Sequence, residues 1–136
     1  SRICAEAGLE AIENQMRKAA DKNFLKAMKT FNIPLLKDDT RAIAAYFALV
    51  DKIVWGQDVI IVEESKKKTV MRSTTHCIVF PEAPMRCSEE ARAACIAASA
   101  HERRACEILN PKLRFTSSRM LSGGDPYCEG IFWLRD

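Results

Sequence analysis

The apolar residues of this chain change period partway along, and that change limits the folds open to it. Leu9, Ile12, Met16, Ala20, Phe24, Ala27 and Phe31 step by three or four, the spacing of one helix face. Late in the chain the step becomes two. Leu113, Phe115, Ser117, Arg119 and Leu121 share one side, and Arg114, Thr116, Ser118 and Met120 share the other. A chain that opens in helices and closes in strands buries its apolar faces by laying helices on a sheet.

Punctuation residues set the element bounds. Helices are expected over about 2–31, 39–54 and 88–109, and strands over about 57–64, 69–80, 112–121 and 127–134. Asn32 and Pro34 end the first helix, and Asp38-Asp39-Thr40 starts the second with acidic, side-chain-capping residues. Gly56 breaks the pattern, Ser65-Lys66-Lys67-Lys68 forms a polar turn, and Pro81-Glu82-Ala83-Pro84 closes the second strand. Ser88 caps the third helix, Asn110-Pro111 stops it, and Gly123-Gly124-Asp125-Pro126 turns the final hairpin. The expected class is α+β: a helical pair, a β-hairpin, a helix and a second β-hairpin, giving one antiparallel sheet covered by helices on one side. At 136 residues the chain is expected to be a single domain, 1–136, large enough to bury a core without staples.

Charge narrows the partners. A net charge of +3 does not argue for nucleic acid, and the basic residues are not stacked on an aromatic surface. No apolar run approaches membrane-spanning length, and no signal peptide opens the sequence given. Cys4, Cys77, Cys87, Cys95, Cys106 and Cys128 are too sparse for a disulfide scaffold, so reduced thiols in a cytoplasmic protein are expected, with disulfides left open by the even count.

Three of those thiols stand at turning points: Cys87 at a helix start, Cys95 within that helix and Cys128 just after a tight turn. Brought together, they would make a metal site or a nucleophilic pocket. Zinc needs four ligands, and neither a CxxC nor an HxxxH pair is present, so a set of Cys87, Cys95 and Cys128 lacks a nameable fourth member. As a nucleophile, Cys87 would gain from the helix dipole and Arg86, and lose from Glu89 and Glu90. Cys95 shares a small-residue stripe with Ala91, Ala98, Glu102 and Cys106, which makes Glu102 a candidate proton carrier. The third reading is plain core packing, favoured for Cys77 and Cys106. His76 and Cys77 are adjacent on a strand and point to opposite faces. His101 lies six residues after Cys95, roughly 240° around an ideal helix, and is expected to face elsewhere. Tyr46 is a core tyrosine or a pocket-lining one.

Met85-Arg86-Cys87, the gap to Cys95, Asn110-Pro111 and the closing Gly124-Asp125-Pro126-Tyr127-Cys128 resemble the L-2-amino-thiazoline-4-carboxylic acid hydrolase family. The Gly-Asp-x-x-Cys ending is also similar to the 4-vinyl reductase small-molecule-binding domains, which are similar in fold to the TRAPP transport subunits. The resemblance lies in residues 85–134, and residues 2–80 match only in element order. It marks Cys87, Cys95, Asp125 and Cys128. The first family implies hydrolysis of a small heterocycle at a C–S or C–N bond, and the second implies a pocket for a small apolar ligand, with cysteines that could hold zinc.

The leading expectation is thus a small hydrolase with Cys87 or Cys95 as nucleophile or metal ligand, Glu102 handling protons, and Asp125 and Cys128 completing the rim. Arg72 and Arg119 would receive a substrate carboxylate, with His76 and Tyr46 beside it. The alternatives are a non-enzymatic small-molecule-binding domain, with or without structural zinc, and a homodimer scaffold built on the long first helix.

Overall fold

A computed structural model describes residues 2–73 and 89–136, with side chains from Glu6 onward. The elements run α1 (Arg2–Thr30), α2 (Thr40–Trp55), β1 (Ile60–Glu64), β2 (Lys68–Ser73), α3 (Glu89–Ala98), α4 (Ala100–Leu109), β3 (Leu113–Arg119) and β4 (Cys128–Leu134), with a 3-10 turn at Leu121–Gly123.

The four strands form an antiparallel sheet in the order β1-β2-β4-β3. The α+β class read from the sequence is therefore the class observed. Helix α2 packs on β2 and β4, α4 packs on β3, and α1 lies along α3 and α4.

Each helix ends where its chemistry requires. Asn32 adopts φ 56°, and the N–H groups of Asn32 and Ile33 donate to the carbonyls of Lys29 and Met28, which satisfies the last turn of α1. Asp39 caps α2 by accepting from the Arg41 N–H at 3.0 Å, and Gly56 closes it at φ 65°. The start of α2 is also tied to the β1–β2 turn. The Thr40 N–H donates to Lys66 O, and the Thr40 hydroxyl lies 2.8 Å from both Ser65 O and Thr69 Oγ1.

The core is a run of aromatic rings. Phe47 stacks on Phe132 at 5.6 Å and on Phe24 at 6.3 Å, with interplanar angles of 12° and 8°. Phe24, Met28, Ile43, Leu113 and Phe132 are fully buried around it. The apolar stripe of α1 engages this core only from Ala20 onward, and Ile12 is exposed.

The single helix expected over 88–109 is two. Ser99, at φ −70° and ψ −1°, is a one-residue turn between α3 and α4. The Ser99 hydroxyl donates to Ile96 O at 2.7 Å, and Arg103 reaches back to Ile96 O and Ser99 Oγ at 2.9 and 2.6 Å. A serine that bonds its own preceding turn competes with the helix ladder. The expected strand over 57–64 begins only at Ile60, because Gln57 is held by the α2 C-terminus through its N–H bond to Asp51 O.

Candidate ligand cavity

A cavity of about 570 Å³ lies between the sheet and the helices, a volume suited to a small ligand. Helix α2 contributes Phe47, Val50, Asp51, Val54 and Trp55, and the α3–α4 junction contributes Cys95, Ala98, His101 and Glu102. The floor comes from Met71 and Arg72 on β2, Phe115 and Arg119 on β3, and Cys128 and Glu129 on β4. Gly130 lets Phe115 reach this floor: a Cβ at 130 would meet Phe115 Cε2 at 2.7 Å.

Several sequence-derived candidates meet here. Tyr46, Arg72, Cys95, Glu102, Arg119 and Cys128 all line the cavity. Tyr46 is a core residue as well, buried and edge-on to Phe24 and Phe47 at 5.3 and 4.9 Å. Asp125 is elsewhere and is not among the lining residues. Its carboxylate accepts from the Met120 N–H at 2.8 Å and pairs with Arg92 at 3.4 Å, so it closes the turn before β4 and ties it to α3. Gly123 makes room for that link, since a Cβ there would lie 2.6 Å from the Arg92 guanidinium. His76, Cys77 and Cys87 fall outside the described residues.

The thiols sit apart in role. Cys95 accepts from Ser122 Oγ at 2.9 Å, and Cys128 Sγ accepts from the Leu121 N–H at 3.4 Å. Cys106 is buried in the core, and burial drives its thiol pKa far upward, as fits a packing residue. Among the described residues, no three His, Cys, Asp or Glu side chains gather closely enough to hold a metal ion.

Three titratable lining residues, His101, Asp51 and Glu129, escaped the sequence reading. His101 lines the same cavity as Cys95, the two standing on either side of the Ser99 turn. Its ring stands edge-on to Phe47 at 5.8 Å, and burial lowers its pKa. Asp51 carried a legible signal. It falls four residues after Phe47 and three before Val54, a lone carboxylate on the apolar stripe of α2.

Electrostatics distinguish the two walls. On the helical wall, burial raises the Glu102 carboxyl to about 7, opposed by a hydrogen bond from its own backbone N–H and reinforced by the Asp51 charge. Burial alone raises Asp51 to about 7. On the sheet wall, Arg72 Nε donates to Glu129 Oε2 at 2.6 Å, and Ser118 Oγ lies 2.8 Å from Glu129 Oε1. The Arg72 bond, ahead of the Ser118 bond, holds the Glu129 pKa below its ordinary value. The Arg72 and Arg119 guanidinium groups lie 4.6 and 5.7 Å from the centre of the Tyr127 ring.

No protein-family model matches the chain, and no curated protein does. Among solved structures it is similar to trafficking protein particle complex subunit 3 from Naegleria fowleri, a crystal structure with palmitic acid covalently bound. The TM-score is 0.67 at 14% identity, covering 97% of this chain and 82% of that one. The chain therefore has the TRAPP-like α+β fold. Among the described residues, no helix is long and apolar enough to cross a membrane.

Proposed function

We propose that this chain is a non-enzymatic domain of the 4-vinyl reductase type that holds one small, largely apolar molecule between its sheet and its helices. The observation that carries this reading is the cavity of about 570 Å³ walled by Phe47, Val50, Val54, Met71 and Phe115. Apolar walls with a few convergent polar groups are the general pattern of a ligand site. The palmitic acid held by the Naegleria fowleri subunit supports an apolar occupant for this fold.

Calorimetric titration with a homologous set of straight-chain amphiphiles tests it. One equivalent should bind, and Ala98→Trp, which fills the cavity from α3, should abolish binding in a folded chain. Failure of every member of the set to bind would overturn the reading.

A hydrolase acting on a small heterocycle is the second reading, favoured by one feature. The Cys95 thiol lies on the cavity wall with the Ser122 hydroxyl 2.9 Å away and Glu102 in the same cavity. Rapid alkylation of Cys95 at neutral pH, blocked by a cavity ligand, would favour it. Slow alkylation would leave binding as the function.

A further inference from the structure

The charged groups of the cavity are unequally satisfied. Arg72 and Glu129 are paired at 2.6 Å, and both Arg72 and Arg119 lie over Tyr127. Asp51 and Glu102 differ from them. Among the described residues, neither side chain forms a salt bridge, and Glu102 is bonded within its own residue.

A ligand carboxylate entering this space would meet Arg72 already paired with Glu129, and Arg119 lying over Tyr127 on the sheet wall. A ligand cation would meet two carboxylates already in place, on the wall that also presents Phe47 and Val50. An ionised carboxylate among apolar side chains is costly until a counter-charge hydrogen-bonds it. A primary ammonium has three donors, enough to engage carboxylates on two helices at once.

We propose that the ligand is an apolar amine, its protonated nitrogen received by Asp51 on α2 and Glu102 on α4, its hydrocarbon body lying against Phe47, Met71 and Phe115. This rests on the cavity being a ligand site, and it reverses the sequence expectation that Arg72 and Arg119 receive a carboxylate.

Decylamine, decanol and decanoate separate the two ideas. Each is titrated calorimetrically, below its aggregation concentration and near pH 8, into the purified chain and into the Asp51→Asn/Glu102→Gln variant. The amine should bind the parent at least about tenfold tighter than the alcohol. The variant, folded by circular dichroism, should hold amine and alcohol equally. Decylamine binding no tighter than decanol, or a preference that survives in the variant, overturns the amine assignment and leaves the apolar site standing. Binding of none of the three overturns both.

Discussion

Phe115 occupies the space that a side chain at position 130 would fill: a Cβ on Gly130 would lie 2.7 Å from Phe115 Cε2 and 2.9 Å from its Cζ. The ring cannot retreat into the core, because Phe132 lies 4.9 Å from it, centre to centre. Gly130→Val should therefore push Phe115 toward the cavity. The expected outcome in urea denaturation is a loss of about 1–3 kcal/mol, together with weaker binding of any cavity ligand. Adding Phe115→Leu should recover part of both losses, and strictly additive effects would argue against the contact.

Thr40 and Thr69 join α2 to the sheet through a buried hydroxyl pair at 2.8 Å. Thr40→Val removes the 2.8 Å bonds to Thr69 and to the Ser65 carbonyl and leaves those two joined only by the 3.4 Å bond from the Thr69 hydroxyl, at an expected loss of about 1–3 kcal/mol. The double variant Thr40→Val/Thr69→Val should be less destabilised than the sum of its parts, since two apolar groups then face each other. Equilibrium unfolding of all four chains measures that coupling.

Acid should stabilise this fold over a defined window. The folded Asp51 and Glu102 carboxyls titrate at about 7, against roughly 4 in an unfolded chain. The folded state keeps protons the unfolded state has released, so their contribution is full below about pH 4 and is lost as pH rises through about 7. His101 acts in the opposite sense. Burial lowers its pKa, so its contribution is present above about pH 6.5, the unfolded value, and is lost as pH falls through the folded value. Thermal unfolding midpoints of the parent should decline between about pH 4 and 7 and level off above that. Glu102→Gln should flatten that decline and exceed the parent near pH 8, by roughly 1–3 kcal/mol. Superimposable profiles would remove the buried carboxylate as the cause.

Asp125 should behave as a turn residue. It accepts from the Met120 N–H and pairs with Arg92, so Asp125→Ala should lower stability by about 1–2 kcal/mol. Asp125→Asn, which keeps an acceptor for the N–H, should recover most of it. Ligand affinity measured on the folded fraction should be the same in all three. A selective loss of binding in Asp125→Asn would return this residue to the cavity.

The fold was legible because it rests on periodicity. The three-and-four step that buries Ala20 and Phe24, the Asp39 cap and the Gly56 stop are local signals, and the structure contains each of them. The break at Ser99 was not legible, since it depends on Arg103 folding back onto Ser99 and Ile96. The position of Asp125 outside the cavity lining was not legible either, because a Gly-Asp-Pro turn reads alike whether its carboxylate serves chemistry or caps a backbone N–H. Asp51 could have been found by asking why a carboxylate stands on an apolar stripe.

Phe47 is at once the centre of the aromatic core and part of the cavity wall. Any substitution there alters folding and recognition together, so selection on one constrains the other. Positions that touch the cavity without holding up the core, such as Ala98, Asp51 and Val54, are not bound in this way. Divergence of ligand preference among descendants of this chain would run through those positions, while the stacked rings stay fixed as inherited architecture.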